Sequence, residues 1–126
     1  MTKISKIVFH ISVLFLIIIY IFPGSLLGFL FYRDLSIQPD IIGNPFGTAI
    51  NHFICYICVS FLGFFSYLKS EKLKILLYAM LILSIILEAF HFIIPRRSFQ
   101  IEDLIANILG VLVAYFVIKI YLLIKP

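Results

Sequence analysis

Long apolar runs, separated by short charged or proline-containing segments, constrain this chain more than any other feature of its sequence. Four such runs occupy most of the 126 residues. A run of about 18 or more apolar residues is long enough to cross the bilayer's hydrocarbon core, roughly 30 Å thick, as a helix. The sequence therefore predicts an all-α fold, an integral membrane bundle of four transmembrane helices, in one domain covering residues 1–126.

The predicted helices end where proline, glycine or charged residues interrupt these runs. The first is predicted over residues 7–22, because Pro23 and Gly24 break the run, and residues 25–32 are then expected at the membrane interface. The other three are predicted over residues 46–68, 73–94 and 102–124. Helices are expected because backbone polar groups at membrane depth need internal hydrogen-bond partners.

Composition supports lipid as the solvent of this chain. Hydrophobic residues make up 63% and charged residues 13%, whereas an ordinary soluble domain carries about 25% charged residues. The net charge is +4, but the basic residues form no cluster with interleaved aromatics, so nucleic acid is not predicted as a partner. Lys3 and Lys6 precede a run that is too long for a signal peptide, so this run is predicted to be a retained span.

The distribution of basic residues predicts the orientation in the membrane. Cytoplasmic loops of multi-pass proteins carry an excess of Lys and Arg. If the N-terminus is cytoplasmic, that side holds seven lysines, and the opposite side holds only Arg33, Arg96 and Arg97. Both termini are therefore predicted to be cytoplasmic.

Ionisable residues near the outer ends of the predicted spans form a candidate site. Such residues are costly in hydrocarbon and are candidates for function by default. Helical spacing and the neighbouring loop give these ligand-binding candidates: His52, Tyr56, Glu88, His91, Arg96, Arg97, Asp103 and Asn107. Small residues deeper in the spans predict close helix packing at Gly63, Gly110 and Ala114. We therefore expect an outward-facing polar pocket in which arginines hold an anionic group.

Three interpretations of this polar cluster stay open. Buried hydrogen bonds would hold the helices together without a ligand, or the cluster would bind an envelope lipid, glycan or glycopeptide. The third interpretation is metal or acid–base chemistry, because Glu88 and His91 are spaced like ligands in carboxylate metal bundles. His52 and Asp103 would complete four ligands. Since those bundles repeat the motif on two helices and this chain carries it once, neither a metal nor another cofactor is predicted.

Cysteine and serine residues give no sign of nucleophilic catalysis. Cys55 and Cys58 form a C-x-x-C pair inside the second predicted span, and they are interpreted as buried structural thiols. No serine or cysteine is placed beside Glu88 by helical spacing. An enzymatic function is therefore left open but not favoured.

The segment from Glu88 to Gly110 resembles the VanZ-like family. That family carries a Glu, a Gln three residues later, a Pro-x-Arg, an Asp, an Asn and a Gly. The corresponding residues here are Glu88, His91, Pro95-Arg96-Arg97, Asp103, Asn107 and Gly110. His52 and Phe53 match a histidine–aromatic pair that opens the family's second helix. The chain departs from the family pattern at His91, which replaces the glutamine, and at residues 48–49, which replace an Asp-Lys.

The resemblance implies a multi-pass protein of the bacterial inner membrane. It implies an accessory role in cell-wall or surface-polysaccharide processes, or in resistance to teicoplanin-type glycopeptides, through binding of an envelope component. The alternatives are a membrane enzyme that acts on a lipid-linked or cell-wall substrate, with Glu88 as base, and a structural subunit of a membrane complex. The expected partners are the lipid bilayer, a lipid-linked or glycan ligand and a membrane protein.

Overall fold

The computed structural model describes residues 3–40 and 42–125, and it confirms the predicted all-helical fold. The helices are α1 (Lys3–Ile21), α2 (Leu26–Tyr32), α3 (Ala49–Ser66), α4 (Leu73–Ala89), a 3₁₀ turn (Phe90–Phe92) and α5 (Ile101–Ile124). Within these residues no strand occurs. Four helical segments, namely α1, α3, α4 with its 3₁₀ turn, and α5, are long and apolar enough to cross a membrane.

The break after α1 follows from local chemistry. α1 ends at Ile21, just before Pro23, and the short helix α2 begins after Ser25. The Ser25 hydroxyl accepts a hydrogen bond from the Gly28 N–H at 2.9 Å, which caps the start of α2. Arg33 ends α2 in the left-handed conformation, with φ 57°. The chain after Pro23 therefore turns back on itself as a short helix, and does not continue the span.

The closest helix pair in the bundle is α3 with α5. A Cβ added at Gly110 would lie 2.8 Å from the Phe53 carbonyl oxygen and 3.0 Å from the Ile57 nitrogen. Only a residue without a side chain permits this approach of two backbones. Gly63, Gly110 and Ala114, the predicted packing residues, are all buried. A Cβ added at Gly63 would instead meet the aromatic ring of Phe9.

The two ends of the bundle differ in their side chains. We call the end at residues 88–103, where α4 finishes and α5 begins, the polar end. We call the opposite end, at residues 67–72 between α3 and α4, the lysine end. Between the two ends the interior is mostly apolar, although the hydroxyls of Ser60 and Ser84 are also buried there. The outward faces of the spans expose large aliphatic and aromatic side chains. These outward faces suit contact with acyl chains.

Candidate functional site

Polar side chains from all four spans meet inside the polar end. This polar cluster consists of Tyr20, His52, Glu88, His91, Asp103 and Asn107, and each of them is buried. Glu88 and Asn107 are 0% exposed. A carboxylate that is shielded from both water and lipid must be matched by protein partners, because an unpaired buried charge is strongly unfavourable.

His52 lies at the centre of the polar cluster. Its Nδ1 atom is 2.7 Å from the Tyr20 hydroxyl and 3.2 Å from Asn107 Oδ1. The Tyr20 hydroxyl in turn donates to Asn107 Oδ1 at 2.8 Å. On the other side of the ring, Nε2 is 3.4 Å from Asp103 Oδ2. The imidazole of α3 is thus held between side chains of α1 and α5.

Glu88 points into the bundle and is held there on both carboxylate oxygens. Its Oε1 atom lies 3.2 Å from Nδ1 of His91 and accepts the Gln100 N–H at 3.3 Å. Its Oε2 atom accepts from Asn107 Nδ2 at 3.5 Å and lies 3.7 Å from Nδ1 of His52. The carboxylate therefore connects the end of α4 with α3 and the start of α5.

His91 links this carboxylate to the first span. Its Nε2 atom lies 3.2 Å from the Tyr20 carbonyl oxygen. Its ring stacks on the Tyr20 ring, with 5.5 Å between centroids and 13° between planes. Both ring nitrogens of His91 are thus occupied by contacts with oxygen atoms of the protein.

Arg97 lies beside the polar cluster, but its guanidinium contacts backbone carbonyls. Its Nη2 atom donates to the Ile19 carbonyl at 2.8 Å and its Nε atom to the Phe22 carbonyl at 3.3 Å. These carbonyls belong to the last turn of α1 and the residue after it, where helix carbonyls lack intrahelical partners and favour a cation. Burial lowers the pKa of the Arg97 guanidinium, which still remains protonated in a protein.

The sequence predicts Arg96 and Arg97 in one polar pocket with Glu88 and Asp103. Among the residues that the structure describes, no carboxylate lies within salt-bridge distance of Arg97. Arg96 is exposed on the turn, in the left-handed conformation with φ 61°. The end of α1, which the sequence pattern did not include in the site, therefore holds Arg97 in position.

Tyr56 is buried next to the polar cluster without joining its hydrogen bonds. Its ring packs edge-on against Tyr20, with 5.7 Å between centroids. Its hydroxyl has no hydrogen-bond partner among the described residues. Tyr20, which was not among the candidates predicted from the sequence, makes the hydrogen bonds to His52 and Asn107. The only sequence signal for Tyr20 was a hydroxyl within an aliphatic run.

A small cleft opens between the polar cluster and the loop that follows α2. It has a volume of about 40 Å³ and is lined by Ile19, Tyr20, Leu27, Gln38, Pro39, Asn51, His52, Cys55 and Arg97. A water molecule needs on the order of 10–15 Å³ by the same kind of measure, and drug-sized ligands occupy roughly 300–1,000 Å³. The cleft thus has room for a small polar group or a few waters, but not for a whole sugar.

A comparison with protein families identifies the family of this chain. The family model described as VanZ/LLP1 matches residues 3–123. The chain belongs to the VanZ/LLP1 family. The resemblance carried by residues 88–110 is thereby confirmed, and the VanZ/LLP1 match extends through α1, which the motif did not cover. Comparisons with curated proteins and with solved structures gave no match.

Family membership and the polar cluster fit together. The residues of the VanZ-like pattern come from α4, the following turn and α5, and most of their side chains meet inside the polar end of this VanZ/LLP1 protein. His52, from α3, joins these side chains, with its Nε2 atom 3.4 Å from Asp103 Oδ2. His52, Glu88 and Asp103 also offer three potential metal-ligand atoms that lie within 4.8 Å of one another.

Proposed function

We propose that this VanZ/LLP1 protein is an accessory protein of the bacterial envelope that binds the anionic group of a lipid-linked or glycan molecule at its polar end. The processes we assign to it are cell-wall or surface-polysaccharide synthesis, or tolerance of teicoplanin-type glycopeptides. The observation that carries the proposal is the charge of Arg97, which lines the cleft and is balanced by carbonyl dipoles, without a carboxylate of the described residues at salt-bridge distance.

The chemistry of the cleft favours phosphate or carboxylate as the bound group. A guanidinium holds such oxyanions through two parallel hydrogen bonds. Gln38 and His52 line the same cleft and add further polar groups. Because the volume is about 40 Å³, only the anionic group would enter, and the remainder of the ligand would lie in the bilayer or outside it.

The other candidate residues have supporting roles in this proposal. Arg96, exposed on the turn, would attract the anion to the mouth of the cleft. The buried members of the polar cluster would fix the position of His52 through the contacts described above. These members are Tyr20, Glu88, His91, Asp103 and Asn107. Tyr56 would support them by packing against the Tyr20 ring.

The proposal includes an orientation, with the polar end outward from the inner membrane and both termini cytoplasmic. Its support is the excess of lysines at the lysine end. In a chain with Cys55 and Cys58 replaced by serine, Gly43→Cys and Ser70→Cys would be exposed to a membrane-impermeant thiol reagent on intact cells. Labelling of Gly43→Cys alone is expected. Labelling of Ser70→Cys alone would reverse the orientation and remove the envelope ligand from consideration.

Binding would be tested with the full chain in detergent micelles. The probe is a polyprenyl phosphate, compared with the neutral polyprenol of the same length, and bound lipid is counted by native mass spectrometry. Arg97→Gln is expected to abolish the preference for the phosphate, whereas the matched control Arg33→Gln keeps it, because Arg33 lies over the ring of Phe29 outside the cleft. Equal binding of phosphate and alcohol by the unmodified chain would refute the proposal.

A cellular test separates the binding function from the structural-subunit alternative. Arg97→Ala and Glu88→Gln would be scored for protein level and for glycopeptide tolerance. Normal levels with a lost phenotype support the binding site. Lost protein levels favour a role in helix packing, and normal levels with a normal phenotype would contradict a functional site at the polar end.

One observation favours the membrane-enzyme alternative. His52 lies 3.4 Å from Asp103 and 3.7 Å from Glu88, and an imidazole oriented by carboxylates is a common general acid–base arrangement. The test is product formation from a lipid-linked substrate by the purified chain. Loss of that product in Glu88→Gln, with unchanged binding of the substrate, would replace the accessory role with catalysis.

A further inference from the structure

The three buried ionisable side chains His52, Glu88 and Asp103 come from three different helices. They are the only such group among the described residues in which three potential ligand atoms approach within 4.8 Å. We propose that His52, Glu88 and Asp103 bind one divalent transition-metal ion, of the zinc type, at the centre of the polar cluster. The ion is distinct from the ligand of the cleft, and the proposal does not depend on that ligand.

The hydrogen bonds of His52 leave the correct nitrogen for a metal. Nδ1 lies 2.7 Å from the Tyr20 hydroxyl, which has already donated its proton to Asn107 Oδ1. The proton of the His52 ring is therefore best placed on Nδ1, where it donates to Tyr20. Nε2 then presents its lone pair to Asp103 Oδ2 at 3.4 Å. Two acceptors that face each other at this distance require a cation or a proton between them.

The surroundings of the Asp103 carboxylate provide a second, independent observation in support of the metal site. The residue is 5% exposed, and its Oδ1 atom has no hydrogen-bond partner of good geometry among the described residues, although the Thr48 side chain lies near the carboxylate. A buried carboxylate oxygen without a partner is strongly unfavourable, because its desolvation is not compensated. Metal coordination would compensate it. Oxygens of Asp and Glu are ordinary zinc ligands at about 2.0–2.2 Å.

One pair of ligand atoms already has the spacing that such an ion requires, and the Glu88 oxygen, which lies within 4.8 Å of both, would move closer to complete the set. Two tetrahedral ligands at about 2.0–2.1 Å from zinc lie roughly 3.4 Å apart, and Nε2 of His52 is 3.4 Å from Asp103 Oδ2. One neutral imidazole with two carboxylates also carries two negative charges, which a divalent ion neutralises in a site shielded from water. The fourth position would belong to water or to a group entering from the cleft.

The surrounding residues have the contacts expected of a second coordination shell. Metal-binding histidines and carboxylates are usually held by further hydrogen bonds that fix their orientation. Here Tyr20 and Asn107 hold His52, and His91 with the Gln100 N–H holds Glu88. His91 is not a ligand in this arrangement, since both of its nitrogens already contact oxygens. The ligand set therefore differs from the Glu88–His91 pair suggested by spacing.

Zinc binding can be measured directly on the full chain in detergent micelles after dialysis against EDTA. Zn²⁺ is titrated in competition with a chromophoric chelator, and the thermal unfolding midpoint is followed in parallel, with Mg²⁺ as the comparison ion. One Zn²⁺ per chain and a Zn²⁺-dependent rise in Tm are expected, with little response to Mg²⁺. Asp103→Asn and His52→Gln are each expected to weaken binding about tenfold or more.

Two matched controls make the result specific. Glu102→Gln removes the exposed carboxylate next to Asp103, and His10→Gln removes the exposed histidine of α1; both should bind Zn²⁺ as the unmodified chain does. Failure of the unmodified chain to bind Zn²⁺ would overturn the proposal, as would unchanged binding in Asp103→Asn or His52→Gln. If Asp103→Asn or His52→Gln does not accumulate, the comparison of Zn²⁺ binding between the remaining variant and the unmodified chain tests the proposal. The outcome of the Zn²⁺ titration, positive or negative, does not change how the polyprenyl phosphate test is interpreted.

Discussion

The two ends of the bundle treat ionisable side chains in opposite ways. At the lysine end Lys69 and Lys72 are exposed, and the Lys6 ammonium lies 4.8 Å from the centre of the Tyr67 ring. At the polar end Glu88 and Asp103 are buried and connected to other helices. Exposed lysines at a membrane surface are easily solvated, whereas buried carboxylates within a span are costly and are retained for a reason. The contrast supports the proposal that the functional site lies at the polar end.

Two histidines within the spans, His10 and His52, show the same contrast between an exposed and a buried ionisable side chain. His10 is exposed on α1, and its contacts lie within its own helix: its Nδ1 atom is 2.7 Å from the Lys6 carbonyl oxygen, and its ring meets the neighbouring Phe9. His52 instead contacts side chains from α1, α4 and α5. The difference between these two positions gives the largest predicted effect.

His52→Leu is expected to destabilise the fold far more than His10→Leu. Loss of the His52 imidazole removes a partner from the Tyr20 hydroxyl, Asn107 Oδ1 and the buried Asp103 carboxylate, and each buried polar group left unsatisfied costs about 1–3 kcal/mol. His10→Leu should change the free energy of unfolding by less than about 0.5 kcal/mol, as expected for a surface substitution. Unfolding in mixed micelles with increasing SDS measures both variants. Equal destabilisation would remove the distinction between the two histidines.

A smaller effect is expected from two glycines, one toward each end. The neighbours of an added Cβ at Gly110 are two backbone atoms of α3 and the Cβ of Tyr56, which move only with the helix, whereas those at Gly63 are atoms of the Phe9 ring, the far end of a side chain. Gly110→Ala should therefore cost about 1–3 kcal/mol through overpacking, and Gly63→Ala clearly less. The same SDS titration applies. A larger cost at Gly63 would contradict the assignment of α3–α5 as the closest contact.

The apolar runs and helical spacing were sufficient to predict the four spans and most of the polar cluster. Glu88 and Asp103 follow from the sequence because each lies on a face set by helical periodicity. The positions of Tyr20 and Arg97 depend on contacts between residues far apart in the chain, such as Arg97 with Ile19. No local pattern encodes a side chain that binds the carbonyls of another helix. The break at Pro23 was predicted, but its closure by the Ser25 N–H, which donates to the Leu35 carbonyl at 2.7 Å, could not be read from the local sequence.

Tyr20→Phe tests that contact from the first span. The variant removes one hydroxyl, but His52 Nδ1 and Asn107 Oδ1 lie 3.2 Å apart and keep each other as partners. The expected cost is therefore about 0.5–1.5 kcal/mol, the net value of an ordinary hydrogen bond. Tyr78→Phe is the matched control, because Tyr78 is exposed on the outer face of α4, and it should unfold like the unmodified chain. A neutral Tyr20→Phe would show that α1 adds nothing to the polar cluster.

The smallest effect is expected at Asp34, a carboxylate of the polar end that lies in a loop outside the spans. Its Oδ1 accepts hydrogen bonds from the Ser36 hydroxyl and N–H, at 2.6 and 2.8 Å, and these bonds, with a smaller contribution from Arg96, lower the pKa of Asp34. A lowered pKa means that the stabilising contribution is present above the unfolded-state pKa and is lost as the pH falls through the folded-state value.

Ser36→Ala should raise the pKa of Asp34 toward its ordinary value, since the hydroxyl contribution is the largest. The carboxyl carbon of Asp34, followed by NMR from neutral to acidic pH in micelles, measures the change, and Ser98→Ala, an exposed serine of the same end, is the control. Because the loop carboxylate is bonded within its own turn, the stability of the bundle should hardly respond. A loss of stability as large as that of His52→Leu would contradict this prediction and would place Asp34 in the same network as the buried carboxylates. The difference between the two ends would then not depend on whether a carboxylate is buried or lies in a loop.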